Sequence, residues 1–206
     1  MKTSIKIAVA ALVIASFGFA GCKRGPNDPF ISLLSRKARM TGEWKTTKGE
    51  GKDVNGNTTT TWTYDGAVHS ETVTVGSSSS TTTNNITITT TFEKDGTYKR
   101  VTVETATSPI NYTETVTETG TWNFTGKVGD DKNKDHVVMK MLSTSTVYAS
   151  GSSNSTTTTS YTGDDAPTML FFLDQLKNKE IIMTSKGTTT NGSTTTSNEG
   201  SWTMTQ

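Results

Sequence analysis

The densest set of oxygen donors in the chain is GDDKNKDH, residues 129–136. Asp131, Asn133 and Asp135 have the alternating spacing of a calcium loop. His136 stands where such a loop needs glycine for its sharp turn, and Leu142 where it needs a bidentate glutamate. Lys132 and Lys134 add positive charge between the donors, so the segment reads as a polar hairpin tip and no metal is assigned. His69 and His136, the only histidines, have no neighbouring ligand motif, and zinc wants more nitrogen or sulfur donors. Glu114 and Glu118 alternate onto the strand face that carries Val116 and Trp122. Turned inward, they can meet a cationic ligand or exchange protons. A bulge at Gly120 would turn the face over and leave both solvated, and that is the expectation. No G-x-S-x-G, H-E-x-x-H or P-loop occurs, so no catalytic residue and no cofactor is assigned, and no enzyme is expected.

The single thiol, Cys22, implies a different chemistry. Lys2 and Lys6 precede an apolar run, IAVAALVIASFGF, that is shorter than the roughly 20 residues of a membrane span. It fits the h-region of a secretory signal and ends in small residues, as a cleavage site should. Ala20-Gly21-Cys22 resembles the bacterial lipobox, with Phe19 at its aliphatic position. The resemblance implies cleavage before Cys22 and acylation there by diacylglyceryl and palmitate-type chains. Each buried methylene contributes about 0.8 kcal/mol, and two or more chains make a stable anchor. Residues 1–21 are thus read as the signal and 22–28 as a lipidated tether. The place expected is the bacterial cell envelope. Lys23 and Arg24 stand where an inner-membrane retention signal would carry aspartate, which points to the outer membrane.

Residues 29–206 have the length of one domain. The net charge is +1 with charges dispersed, so no basic stripe suggests nucleic acid. Only 31% of residues are hydrophobic, too few for a helical bundle. Threonine supplies the deficit. It is β-branched, packs its methyl and can leave its hydroxyl in water, which suits strands. Asp28-Pro29 predicts a helix start, with Phe30, Leu33, Leu34 and Ala38 on the face that covers the core and Arg36, Lys37 and Arg39 elsewhere. Beyond it, Asn55-Gly56, Asp95-Gly96 and Asn191-Gly192 separate strand-like runs, the strongest short hairpin signal. The tracts at 77–85 and 150–160 read as strand bodies with loose tips, and TMLFFLDQL (168–176) as a strand or a helical turn. Roughly nine strands joined by short turns predict an antiparallel meander, which closure into a barrel relieves of its edges.

TGEW (41–44), TFEKDGTY (91–98), TGTW (119–122) and DQLKNKEIIM (174–183), after a lipobox and a helix, resemble the lipocalin-like lipoproteins of Bacteroidota. The resemblance implies an all-β, up-and-down barrel of eight to ten strands. Its base would be closed by the N-terminal helix through Phe30 and Leu34, with Trp44 as the plug. The lipocalin arginine after the last strand is not found in SWTMTQ. Barrels of this size hold one small ligand or fill themselves with side chains. The first reading gives a membrane-tethered barrel with a small hydrophobic ligand lined by Val101, Val116, Trp122, Met139 and Leu142. The second gives a filled barrel that meets protein partners.

Overall fold

The structure is a computed structural model that describes residues 34–106, 110–126, 136–191 and 194–206. Cys22, Phe30, the Asp28-Pro29 helix start and the donors at 131–135 lie outside these residues. Among the described residues, one α-helix, α1 (Arg36–Met40), leads into eleven strands, with a 3-10 turn at Gly163–Asp165. They are β1 (Gly42–Asn55), β2 (Thr58–Tyr64), β3 (Val68–Val75), β4 (Ser78–Phe92), β5 (Thr97–Ala106), β6 (Tyr112–Phe124), β7 (His136–Ser150), β8 (Ser153–Ser160), β9 (Thr168–Leu176), β10 (Glu180–Asn191) and β11 (Thr194–Thr205). The order β6-β5-β4-β3-β2-β1-β11-β10-β9-β7 closes through a β6–β7 pairing into a ten-stranded antiparallel barrel, with β8 outside the ring on β7. The expected all-β barrel of eight to ten strands with a short N-terminal helix is therefore present, and β8 lies beside it. Both Thr/Ser tracts lie mostly in strands, the first in β4 and the second in the end of β7 and in β8, and the turns beside them are the two-residue Gly76-Ser77 and Gly151-Ser152, with the glycines at φ 59° and 58°.

The barrel has two widths. At its base β1 pairs directly with β4, Gly42 opposite Phe92 and Lys45 opposite Thr89. Higher up β1 pairs with β2, Gly49 opposite Tyr64 through Asn55 opposite Thr58. The β2–β3 hairpin is thus a wedge driven between β1 and β4. Its tip is Asp65-Gly66-Ala67, where the Asp65 carboxylate accepts the backbone N–H groups of Ala67 at 3.0 Å and Val68 at 2.8 Å. These bonds hold the Asp65 carboxyl below its ordinary range. Gly66 has φ 97°, and a Cβ there would lie 3.0 Å from the carbonyl oxygen of Thr47, the residue at which β1 bulges as it changes partner. Eight strands therefore ring the base and ten the level above, and a barrel's diameter grows with its strand number.

The narrow base is filled. Met40, Trp44, Phe92, Val137, Leu173, Leu176 and Ile181 form a floor with Tyr98 and Trp122. Trp44 is wholly buried and donates its indole N–H to the Met40 carbonyl at 2.9 Å, which ties helix to strand. The helix face differs from the expected one. Arg36, Arg39 and Met40 are buried, whereas Leu34 is 46% exposed and Ala38 is exposed. The arginines win this face because their stems pack as apolar chains while their guanidinium groups keep contacts of their own. Arg39 donates to the Leu176 carbonyl, and Arg36 lies 5.8 Å over the Phe124 ring. Leu34 is therefore not a closing residue.

Gly120 shows how tightly the floor is fitted. It pairs with Tyr98, and a Cβ there would lie 2.1 Å from the Lys140 carbonyl oxygen and 2.7 Å from the Tyr98 ring. Gly120→Ala should lower the free energy of urea unfolding by about 1–3 kcal/mol, the cost of forcing atoms into a packed core. Gly126→Ala, with nothing within 4 Å of the new Cβ, is the control and should change little. Equal midpoints for the two variants would refute the packing assigned to Gly120.

Candidate functional site

Above the floor the barrel is hollow. A chamber of about 510 Å³ is walled by Thr46, Ile88, Thr90, Thr102, Met139, Phe171, Met183, Met204 and Trp202, with Arg100 and Glu118 on one side. Its lining joins methionines, which adapt to irregular ligands, to threonines and one ion pair. That mixture matches ordinary small-molecule pockets, mostly apolar with a few placed polar groups. The chamber opens sideways. β9 follows β10 only from Phe172 to Leu176, whereas residues 168–172 of β9 follow β7. β10 continues upward paired only with β11 among the described residues, so a cleft separates it from the start of β9. Thr168 and Leu170 on one lip, and Ser185 and Lys186 on the other, border the chamber.

A second hollow of about 290 Å³ adjoins the first across Ile88 and Trp202, which line both. Asp53, Trp62, Tyr64, His69, Glu71 and Ile86 complete its wall. Trp62 and Trp202 lie side by side, centroids 5.4 Å apart and planes 34° apart. Glycines on the strand between and beside them make this possible. A Cβ at Gly51 would lie 2.4 Å from the Trp62 ring, and one at Gly200 2.6 Å from the Trp202 ring. Gly49 is confined less severely, its Cβ position 3.0 Å from Trp62 and 3.3 Å from Trp202.

The sequence-derived lining residues fall in different places. Met139 is buried and borders the chamber. Trp122 is buried too, but in the floor, where its indole N–H donates to the Glu93 carbonyl at 3.1 Å. Val116 is on the inward face of β6, opposite Thr102, without bordering the chamber. Val101 alternates between the inward Arg100 and Thr102, so it faces outward. Leu142 is 40% exposed, because it is the extra residue of a bulge in β7, between Ser143 opposite Thr119 and Met141 opposite Gly120. The bulge expected in β6 at Gly120 thus lies in the partner strand. β6 keeps one face inward, and Glu118 is not solvated but ion-paired with Arg100. His136 is buried against Phe172, ring centroids 5.3 Å apart. Trp62, Phe171, Met183 and Met204 were missed. The glycines Gly49 and Gly51 inside a strand were the available signal for Trp62.

Near the rim, Tyr112 and Tyr148 stack at 5.4 Å, and the Tyr112 hydroxyl donates to Glu104, itself opposite Glu114. The bond to Glu104, with Glu114 nearby, pushes the Tyr112 phenol up to about 12. Deeper down, burial raises the Tyr98 phenol as well. No family model matches the chain, and no curated protein and no solved structure gives a significant match.

A phenol whose folded pKa is raised contributes stability that is complete below its unfolded pKa, about 10, and lost as pH rises through the folded value. Alkaline titration of phenolate absorbance should therefore show one phenol ionising near pH 12 that is absent in Tyr112→Phe. Glu104→Gln should return it toward the ordinary tyrosine value. If Tyr112 titrates with free tyrosine in the native protein, the Glu104 bond is not formed.

Proposed function

We propose that this protein is a lipid-anchored binding barrel of the bacterial envelope that takes a small, largely apolar ligand into its upper chamber. The observation that carries the reading is the unfilled chamber of about 510 Å³ above a packed floor. A self-filled structural barrel needs no such volume, and its lateral cleft gives a ligand a way in. The Bacteroidota lipoprotein resemblance of the sequence and the Cys22 lipobox support the anchor and the outer-membrane location. The barrel's outer wall supports tethering rather than insertion. Glu43, Lys45, Lys48, Glu50 and Lys52 are exposed along β1, where a lipid-facing strand would carry apolar side chains. The protein is read as a binder rather than an enzyme, with Arg100 and Glu118 neutralising each other at the wall.

Native mass spectrometry of the chain, after incubation with an envelope lipid extract, should show a discrete noncovalent adduct absent from the denatured mass. Thr102→Trp, which fills the chamber from its wall, should abolish the adduct while the barrel still folds. A clean unliganded mass for the unaltered chain would sink the carrier reading and favour protein partners. In cells, Cys22→Ala should remove the acyl mass and release the protein from the membrane fraction. Retention at the lipidated mass would refute the anchor.

A further inference from the structure

The second hollow has a charge and a shape that the first does not. Its floor is the Trp62–Trp202 pair, two indoles laid against a wall cleared of Cβ atoms by Gly49, Gly51 and Gly200. Its rim carries two carboxylates, Asp53 on β1 and Glu71 on β3. Glu71 is directly opposite Trp62 in the β2–β3 register, and His69 lies two residues away with its ring 6.0 Å from that of Trp62. Among the described residues no lysine or arginine lines the hollow, and neither carboxylate takes part in an ion pair. The contrast with Glu118, held by Arg100 in the adjoining chamber, is direct. Uncompensated negative charge beside the face of a tryptophan attracts a cation, which the indole's electron-rich face holds as well. A weakly hydrated alkylammonium suits an aromatic surface better than a compact metal ion, which would seek more oxygen donors.

Resting on the binding reading above, we infer that the barrel's ligand is an amphiphilic organic cation, its alkylammonium head over Trp62 and Trp202 and its apolar part in the methionine-lined chamber. The two hollows share Trp202 and Ile88, so one molecule spans them. Asp53 and Glu71 select the charge of the head, and Trp62 supplies its surface. Such a head can belong to a free alkylammonium compound or to a choline-type lipid.

The test uses the full chain in nanodiscs of phosphatidylglycerol, with empty discs of the same lipid subtracting partition. Tryptophan fluorescence is titrated with hexyltrimethylammonium, hexanol and hexyl sulfate. The cation should bind at least tenfold more tightly than the other two. The double variant Asp53→Asn/Glu71→Gln, which preserves shape, should lose that preference while still binding hexanol. Equal affinities for all three probes, or an unchanged preference in the double variant, would overturn the inference and leave the binding reading intact. Failure of every probe to bind would overturn both. Repeating the titration in phosphatidylcholine discs distinguishes the sources. Loss of hexyltrimethylammonium binding there supports the inference with a lipid headgroup as the natural occupant, and unchanged binding supports it with a free cation.

Discussion

The burial of Trp44 beneath the barrel is the contact on which the rest of the structure depends. Its indole is fully desolvated, and its one polar atom is satisfied by the carbonyl of Met40, the last residue of α1. Truncating a buried tryptophan costs about 3–5 kcal/mol, a large share of the stability of a domain this size. Because Trp44 is on the stretch of β1 that pairs with β4, the same residue fixes where the ring is narrow. Phe92, Trp122, Leu173 and Ile181 then close around it. Without that floor, the apolar content of this chain would be spread too thinly to hold any one shape.

The wedge of β2 and β3 converts the narrow ring into a vessel. A chain poor in hydrophobic residues can fill eight strands but not ten, so its apolar side chains collect at the base and threonines line the wall above. The hollow follows from composition and topology together. Its tryptophans follow from the removal of side chains beside them. Gly49, Gly51 and Gly200 are in extended strands, where glycine weakens the strand, and the space they clear is taken by indoles.

Much of this was legible in the sequence. Asn-Gly and Asp-Gly mark turns because glycine takes positive φ freely, and both join the expected strands: Gly56 is at φ 57° in a two-residue turn with Asn57 between the paired Asn55 and Thr58, and Gly96 is at φ 95° at the end of the loop from β4 to β5. Trp44 is read as the plug from Gly-x-Trp after a helix, and its indole is fully buried against Met40. The lining residues were harder, because a single extra residue reverses a face. The bulge at Leu142 is invisible in MLSTST, where serine and threonine suit either face. Val101 and Thr102 are likewise both β-branched, and only the Arg100–Glu118 pairing across β5 and β6 shows which of them points inward. The helix face was misread because arginine counts as polar in a periodicity argument, although its stem packs as an apolar chain.

The central claim, a packed floor under an empty chamber, is tested most directly by crystallography of the protein with an alkyl chain carrying a terminal bromine. The account predicts an anomalous bromine peak between Met139, Phe171 and Met183, with Trp44 still seated on Met40 beneath. Bromine confined to the outer surface, with the chamber closed by repacked methionines, would contradict it.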